Sequence, residues 1–138
     1  MITRLSLVTV LVRDQEEALR WFTEILGLKK LQDATYGSGS RWLVVAPTEQ
    51  SNFGIVLQKP DPAEHGAERA RMNTEQIGKG TTWVFHADSL DETFQVLSGR
   101  GVQFLSPPEG HALGQAGNLR GLVWESIRPD GQMNARNA

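Results

Sequence analysis

The sequence contains no cysteine. Disulfide bonds, thiolate metal sites and cysteine nucleophiles are therefore excluded, and the composition suits a reducing compartment. An excess of one charge is also missing, because 14 basic residues and 16 acidic residues leave a formal charge of −2. A chain without a basic excess lacks the electrostatic footprint of a nucleic-acid-binding protein, so we expect no nucleic-acid partner.

Long apolar runs are missing as well. No run approaches the roughly 20 residues that a membrane-spanning helix needs. The apolar patches of residues 1–12 are followed at once by Asp14, Glu16 and Glu17, and no small-residue cleavage site is present, so we expect no signal peptide. The sequence therefore predicts a soluble, cytoplasmic protein without a membrane partner.

The first part of the chain has the pattern of one strand, one helix and three further strands. Residues 5–12 (LSLVTVLV) have the aliphatic, β-branched character of a buried strand. Asp14 and Glu17 form a capping box, and apolar residues recur at helical spacing up to Leu26, just before Gly27. Further strands are predicted at residues 28–32, 41–46 and 53–58, which gives a β-α-β-β-β order.

The later part of the chain repeats this pattern at an offset of 75 residues, with Thr82 at the place of Leu7. Ser89 and Glu92 form a second capping box between a predicted strand at 81–87 and a helix that stops at Gly99. Strands are also predicted at 102–105 and 119–127. The expectation is one α+β domain, with module one at 1–59, a charged linker with a turn of helix at 60–79, module two at 80–132 and a polar tail at 133–138.

Three segments resemble the glyoxalase/bleomycin-resistance/extradiol-dioxygenase superfamily, also called the vicinal oxygen chelate proteins. They are residues 8–29 (VTVLVRDQEEALRWFTEILGLK), 86–110 (HADSLDETFQVLSGRGVQFLSPPEG) and 128–132 (RPDGQ). The resemblance implies two β-α-β-β-β modules that form a curved mixed sheet around a cleft, which a second subunit often completes. It also implies a divalent metal held by His and Glu side chains of the first and last strands of each module.

The sequence departs from this family at the positions of the metal ligands. Leu7 and Thr82 stand where the resemblance implies histidines, and the strand at 53–58 has Gln58 as its only polar side chain. The position of the last glutamate falls near Ala135, in a tail without apolar alternation, so the last strand is predicted to be missing or very short. Because leucine and alanine cannot ligate a divalent ion, we expect no metal and no cofactor.

The chain has three histidines, at positions 65, 86 and 111. His65 lies in the charged linker and is interpreted as a solvated loop residue. His86 alternates with Thr82 and Val84 on one face of its strand, which is predicted to face the cleft, and His111 lies in a loop that borders the cleft in related proteins. A metal set of His86, His111 and Glu125 is an alternative, although no spacing fixes these three residues on one centre.

Four tryptophans are the other notable feature. Trp21 and Trp83 are in phase with core residues. Trp42 and Trp124 lie in strands of opposite modules, where they either pack in the core or form a stacking clamp for a flat organic molecule.

These observations favour a metal-free protein that captures a planar or amphipathic organic compound in the cleft, as drug-sequestering members of the family do. One alternative is a lyase, isomerase or dioxygenase with a non-standard or metal-independent site, and another is a structural dimer without a ligand. Open sheet edges predict a homodimer. The predicted ligand contacts are Leu7, Thr9, Trp42, Gln58, Thr82, Val84, His86, His111, Trp124 and Glu125.

Overall fold

The computed structural model describes residues 1–37, 39–79, 83–104, 121–127 and 133–137, the last two ranges by their backbone. The chain divides into two compact units, Met1–Ile77 and Gly78–Ala138. Each unit contains a four-stranded mixed sheet and at least one helix, which confirms the predicted α+β class. Among the described helices, none is both long and apolar enough to span a bilayer.

The first unit contains the predicted β-α-β-β-β order, followed by two further helices. Its strands lie in the order β1-β4-β3-β2, with β1 parallel to β4 and the other neighbours antiparallel. The elements are β1 (Leu7–Leu11), α1 (Gln15–Arg20), a π-helical segment (Trp21–Ile25), β2 (Lys29–Tyr36), β3 (Ser40–Ala46), β4 (Gly54–Gln58), α2 (Pro62–His65) and α3 (Ala67–Gln76).

Helix α1 begins at the predicted cap. The Asp14 carboxylate accepts a hydrogen bond of 2.8 Å from the backbone N–H of Glu17. This bond satisfies one of the free N–H groups of the first helical turn, and it is the main reason why the pKa of Asp14 lies below its usual value. The helix continues through the π-helical segment, where Phe22 is fully buried.

The first sheet has two faces because side chains alternate along each strand. The backbone register pairs Val44 with Val56 and Val56 with Thr9, so these three residues share one face. We call this side face A and the opposite side face B. Face A carries Leu7, Thr9, Trp42, Val44, Gly54, Val56 and Gln58, and face B carries Val8, Val10, Leu43, Val45, Ile55 and Leu57.

The predicted linker at 60–79 contains helices, so its interpretation as a connection with a turn of helix is corrected. Asp61 caps α2 by accepting from the N–H of Ala63, with Pro62 in the first turn, and Gly66, with a φ of 81°, separates α2 from α3. Helix α3 contacts β1 and buries Ala70. Too few apolar residues mark its buried side for the helical period to stand out in the sequence.

The second unit contains β5 (Trp83–His86), α4 (Leu90–Gly99), β6 (Gln103–Phe104), β7 (Gly121–Ile127) and β8 (Met133–Asn137). The predicted cap of α4 is present, because Ser89 Oγ accepts from the Glu92 N–H at 3.3 Å. Its strand order is β5-β7-β8-β6, with β6 parallel to β8. The element order of the first unit is therefore repeated, whereas its strand pairing is not.

The prediction of a polar tail at 133–138 is wrong for Met133–Asn137, which form β8. This strand pairs antiparallel with β7 and parallel with β6. Backbone hydrogen bonds hold a strand regardless of side-chain type, so a segment without apolar alternation can still complete a sheet. The last strand of the second unit is therefore present.

A first prediction concerns Gly54, where β1, β3 and β4 approach closely. A Cβ atom at this position would lie 2.6 Å from Val44 Cγ1 and 3.1 Å from Leu7 Cδ2. Because Val44 is buried and its β-branched side chain cannot easily move away, Gly54→Ala should lower the free energy of unfolding by about 1–3 kcal/mol, measured by chemical denaturation. The control is Gly99→Ala, whose new methyl group would meet nothing within 4 Å. Equal stability of Gly54→Ala and the wild type would contradict this packing.

Candidate functional site

Four of the predicted ligand contacts lie together on face A of the first unit. Leu7 is 39% exposed and Thr9 is exposed, while Trp42 and Gln58 are half-buried. Trp42 and Gln58 each lie two residues beyond the Val44–Val56 pair, toward the same end of the sheet. The sequence period therefore places these four residues on one surface that is largely apolar.

The indole of Trp42 is held in place by a residue that the sequence analysis does not identify. Its Nε1–H donates to Gln32 Oε1 on β2 at 2.7 Å. The register pairs Trp42 with Ala34, so a small side chain stands beside the large ring. The polar edge of the indole is thereby satisfied within the sheet, and its apolar surface remains available on face A.

Gln58 is bonded to a histidine of α2. Gln58 Nε2 lies 3.0 Å from His65 Nε2. The His65 side chain is only 19% exposed, and its Nδ1 is buried without a hydrogen-bond partner in the described structure. The prediction of a solvated loop histidine is therefore wrong. An N-capping signature, Asp61-Pro62, is the sequence signal that could have placed His65 on a helix.

Helix α2 is hydrogen-bonded to the first sheet at the end where Trp42 and Gln58 lie. Tyr36 Oη donates to Glu64 Oε1 at 2.5 Å, and Ser40 Oγ donates to Asp61 Oδ2 at 3.5 Å. The hydrogen bond to Glu64 and the charge of this carboxylate raise the pKa of Tyr36. These contacts, with the one between Gln58 and His65, place polar groups at one end of face A.

Arg41 holds strand β3, which carries Trp42, in place. Its side chain lies on face B. Its guanidinium binds Asp33 through two hydrogen bonds of 2.8 Å and Glu16 of α1 through one of 2.7 Å. The Arg41 hydrogen bonds, with a further one from Lys30, hold the pKa of Asp33 far below its usual value. Gln15 Nε2 also donates to the backbone carbonyls of Arg41 and Leu57. The backbone behind face A is thus tied to α1.

In the second unit, the predicted alternation of β5 is confirmed. Val84 and His86 are exposed, whereas Trp83 and Phe85 are half-buried and their rings meet edge to face at 6.2 Å. In the backbone register of β7, Trp124 pairs with Trp83 rather than with Val84 or His86.

The structure says less about the remaining predicted contacts. Glu125 lies at a register irregularity between Trp124 and Ser126 of β7. Thr82 and His111 lie outside the described residues. The contact roles of the six second-unit residues therefore stay predictions.

The donors on face A do not fit a divalent metal. Leu7 has no ligating atom, Thr9 offers a neutral hydroxyl, and β4 contributes only the amide of Gln58, which already contacts His65. Across the described ranges, no three His, Asp or Glu side chains are grouped closely enough to hold an ion. The alternative set of His86, His111 and Glu125 includes a residue outside those ranges, so the described structure provides no metal centre in its support.

Comparison with known sequences gives a consistent family. The model of the Glyoxalase/Bleomycin resistance protein/Dioxygenase superfamily matches residues 4–118. The protein YetH of Bacillus subtilis (strain 168) is 27% identical over 108 residues, which cover 78% of this chain and 81% of YetH.

Solved structures agree with this match. UcmS2 is 28% identical with a TM-score of 0.74, covering 99% of this chain and 98% of its own. A member of the same superfamily from Sphaerobacter thermophilus is 25% identical with a TM-score of 0.68, covering 99% and 97%. TnmS3, an antibiotic binding protein from Streptomyces sp. CB03234, is 25% identical with a TM-score of 0.64, covering 99% and 95%. The similarity extends over nearly the whole length of each chain.

Proposed function

The chain belongs to the Glyoxalase/Bleomycin resistance protein/Dioxygenase superfamily, and we propose that it is a cytoplasmic protein that captures a planar or amphipathic organic compound without a divalent metal. The observation that carries the proposal is face A of the first unit. There an oriented indole, the exposed side chain of Leu7 and a small number of neutral polar atoms share one surface.

The chemistry of face A suits a flat, largely apolar ligand. A ring stacked on Trp42 would remove apolar surface from water on both partners, and this term dominates the binding of such compounds. Gln58 lies beside it and can fix the orientation of the ligand through a hydrogen bond. The similarity to an antibiotic binding protein supports small-molecule capture as the general activity.

The binding proposal predicts that Trp42 supplies much of the affinity. The probe is N-phenylnaphthylamine, an uncharged aromatic dye whose emission rises in apolar surroundings. Trp42→Ala should weaken its binding by about 1–3 kcal/mol, the scale of a lost aromatic contact and its buried area. Trp42→Phe should retain more of the affinity, because the phenyl ring keeps part of the stacking surface. Fluorescence titration measures all three proteins.

The matched control is Trp21→Phe. Trp21 lies in the π-helical segment, where its ring packs against Phe22 at 5.2 Å, and it is not part of face A. Its replacement should leave dye affinity as in the wild type. Dye binding that is unaffected by Trp42→Ala would remove face A from the proposal.

A metal-free site predicts that elemental analysis of the purified protein finds far less than one Mn, Fe, Ni or Zn ion per chain. Treatment with a chelator should leave the melting temperature and the dye affinity unchanged, because no structural or ligand-binding contact passes through an ion. One ion per chain, lost with chelator together with dye binding, would refute the metal-free proposal and favour the enzymatic alternative.

We also propose that the protein forms a homodimer. Strands β1 and β2 are the edges of the first sheet, and the segment before β1 leaves Ile2 98% exposed and Leu5 70% exposed. Open edges and adjacent apolar side chains are usually covered by a partner. Light scattering at micromolar concentration should give twice the chain mass of 15.3 kDa. A mass that stays at the single-chain value on concentration would contradict the dimer.

A further inference from the structure

The contact between Gln58 and His65 joins two nitrogen atoms. Gln58 Nε2 and His65 Nε2 lie 3.0 Å apart. An amide nitrogen is always a donor, whereas a neutral imidazole has one donor nitrogen and one acceptor nitrogen. His65 Nε2 must therefore accept the bond, and the ring proton of His65 must sit on Nδ1.

This arrangement leaves the carbonyl oxygen of Gln58 free to act as an acceptor. Among the described residues, His65 Nδ1 is the only buried side-chain nitrogen or oxygen without a partner. Gln58 Oε1 has no hydrogen-bond partner among the described residues. Gln58 lies on face A at the same end of the sheet as Trp42. Its carbonyl oxygen therefore belongs to the same surface as the indole that is proposed to stack on the ligand.

We propose that His65 is a positioning residue that makes Gln58 present its carbonyl oxygen, so that the site selects flat compounds carrying a hydrogen-bond donor, such as a phenolic hydroxyl or an amide N–H. This inference rests on the proposed function and specifies the class of ligand for the same surface. A compound with the same ring but no donor leaves the Gln58 oxygen without a partner, which lowers its affinity.

The presented oxygen requires a neutral ring, because a protonated imidazole would make Nε2 a donor, which cannot face the NH₂ group of Gln58. The nearest acid is Glu64, whose Oε1 is 3.8 Å from His65 Nε2 and already accepts from Tyr36. Asp61, the other acid of this segment, accepts from Ser40 and from the Ala63 N–H.

The two nearby acids are thus engaged with other partners, and the group that His65 Nε2 meets at hydrogen-bonding distance is Gln58.

The test compares naphthol with methoxynaphthalene, which have the same flat ring system and are both largely uncharged at pH 8. The hydroxyl of naphthol is a donor, and the ether oxygen of methoxynaphthalene is only an acceptor. At pH 8 the wild type should bind naphthol about threefold to tenfold more tightly, the range expected for one neutral hydrogen bond. Calorimetric titration gives both affinities for each protein.

Two variants separate the roles of the pair. Gln58→Leu should bind both compounds equally, because it removes the amide. His65→Ala should also lose the preference, because a free amide can turn to suit either compound. The control Gln50→Leu changes an exposed glutamine in the turn before β4 and should behave like the wild type.

A spectroscopic measurement on the unliganded wild type tests the same inference without a ligand. Nitrogen NMR of the imidazoles at pH 8, assigned with His65→Ala, should show the proton of His65 on Nδ1. The tautomer with its proton on Nε2 would overturn the inference.

The titrations distinguish this inference from the proposed function. If both compounds bind through Trp42 but the preference is absent or survives in Gln58→Leu, the inference is overturned and the proposed function stands. If neither compound binds the wild type, both are overturned.

Discussion

The alternation of side chains along β1, β3 and β4 is the constraint on which the first unit depends. It sends Val10, Leu43 and Leu57 to face B, while Trp42 and Gln58 reach face A. A slip of one residue in β3 or β4 would move Trp42 or Gln58 to the opposite face. The close approach of Gly54 to Val44 and Leu7 opposes such a slip, because a residue with a Cβ atom at this position would lie 2.6 Å from Val44 Cγ1. Packing at one glycine thus supports both the core and the candidate site.

Much of the fold could be predicted because its signals are local. Asp14 and Ser89 each lie three residues before a glutamate, and both cap a helix as the spacing indicates. The last strand was missed because Met133–Asn137 has no apolar alternation and is held by pairing with β6 and β7. The strand order of the second unit could not be predicted either, because a repeated sequence pattern specifies the order of the elements along the chain and not which strands pair.

The site divides in the same way. Leu7, Thr9, Trp42 and Gln58 follow from the period of two, which needs only the sequence. Gln32 and His65 do not, because their contacts with Trp42 and Gln58 depend on the pairing of β2 with β3 and on the path of α2 beside the sheet. A histidine in a charged, proline-containing stretch gives no local sign that it will meet a strand 7 residues away. Long-range geometry therefore decided which residues support the ligand contacts.

In the proposed site, affinity and selectivity arise from different groups. Stacking on an indole is strong for any flat ring and discriminates poorly between rings of similar size. A single hydrogen bond adds less to affinity, yet it distinguishes compounds sharply when the protein group cannot reorient to suit them. The Arg41 contacts with Asp33 and Glu16 hold β3 against β2 and α1, and the Gln32 contact fixes the indole. With the ring fixed, the proposed selection among ligands needs only one oriented amide, and the contact with His65 is what orients the amide of Gln58.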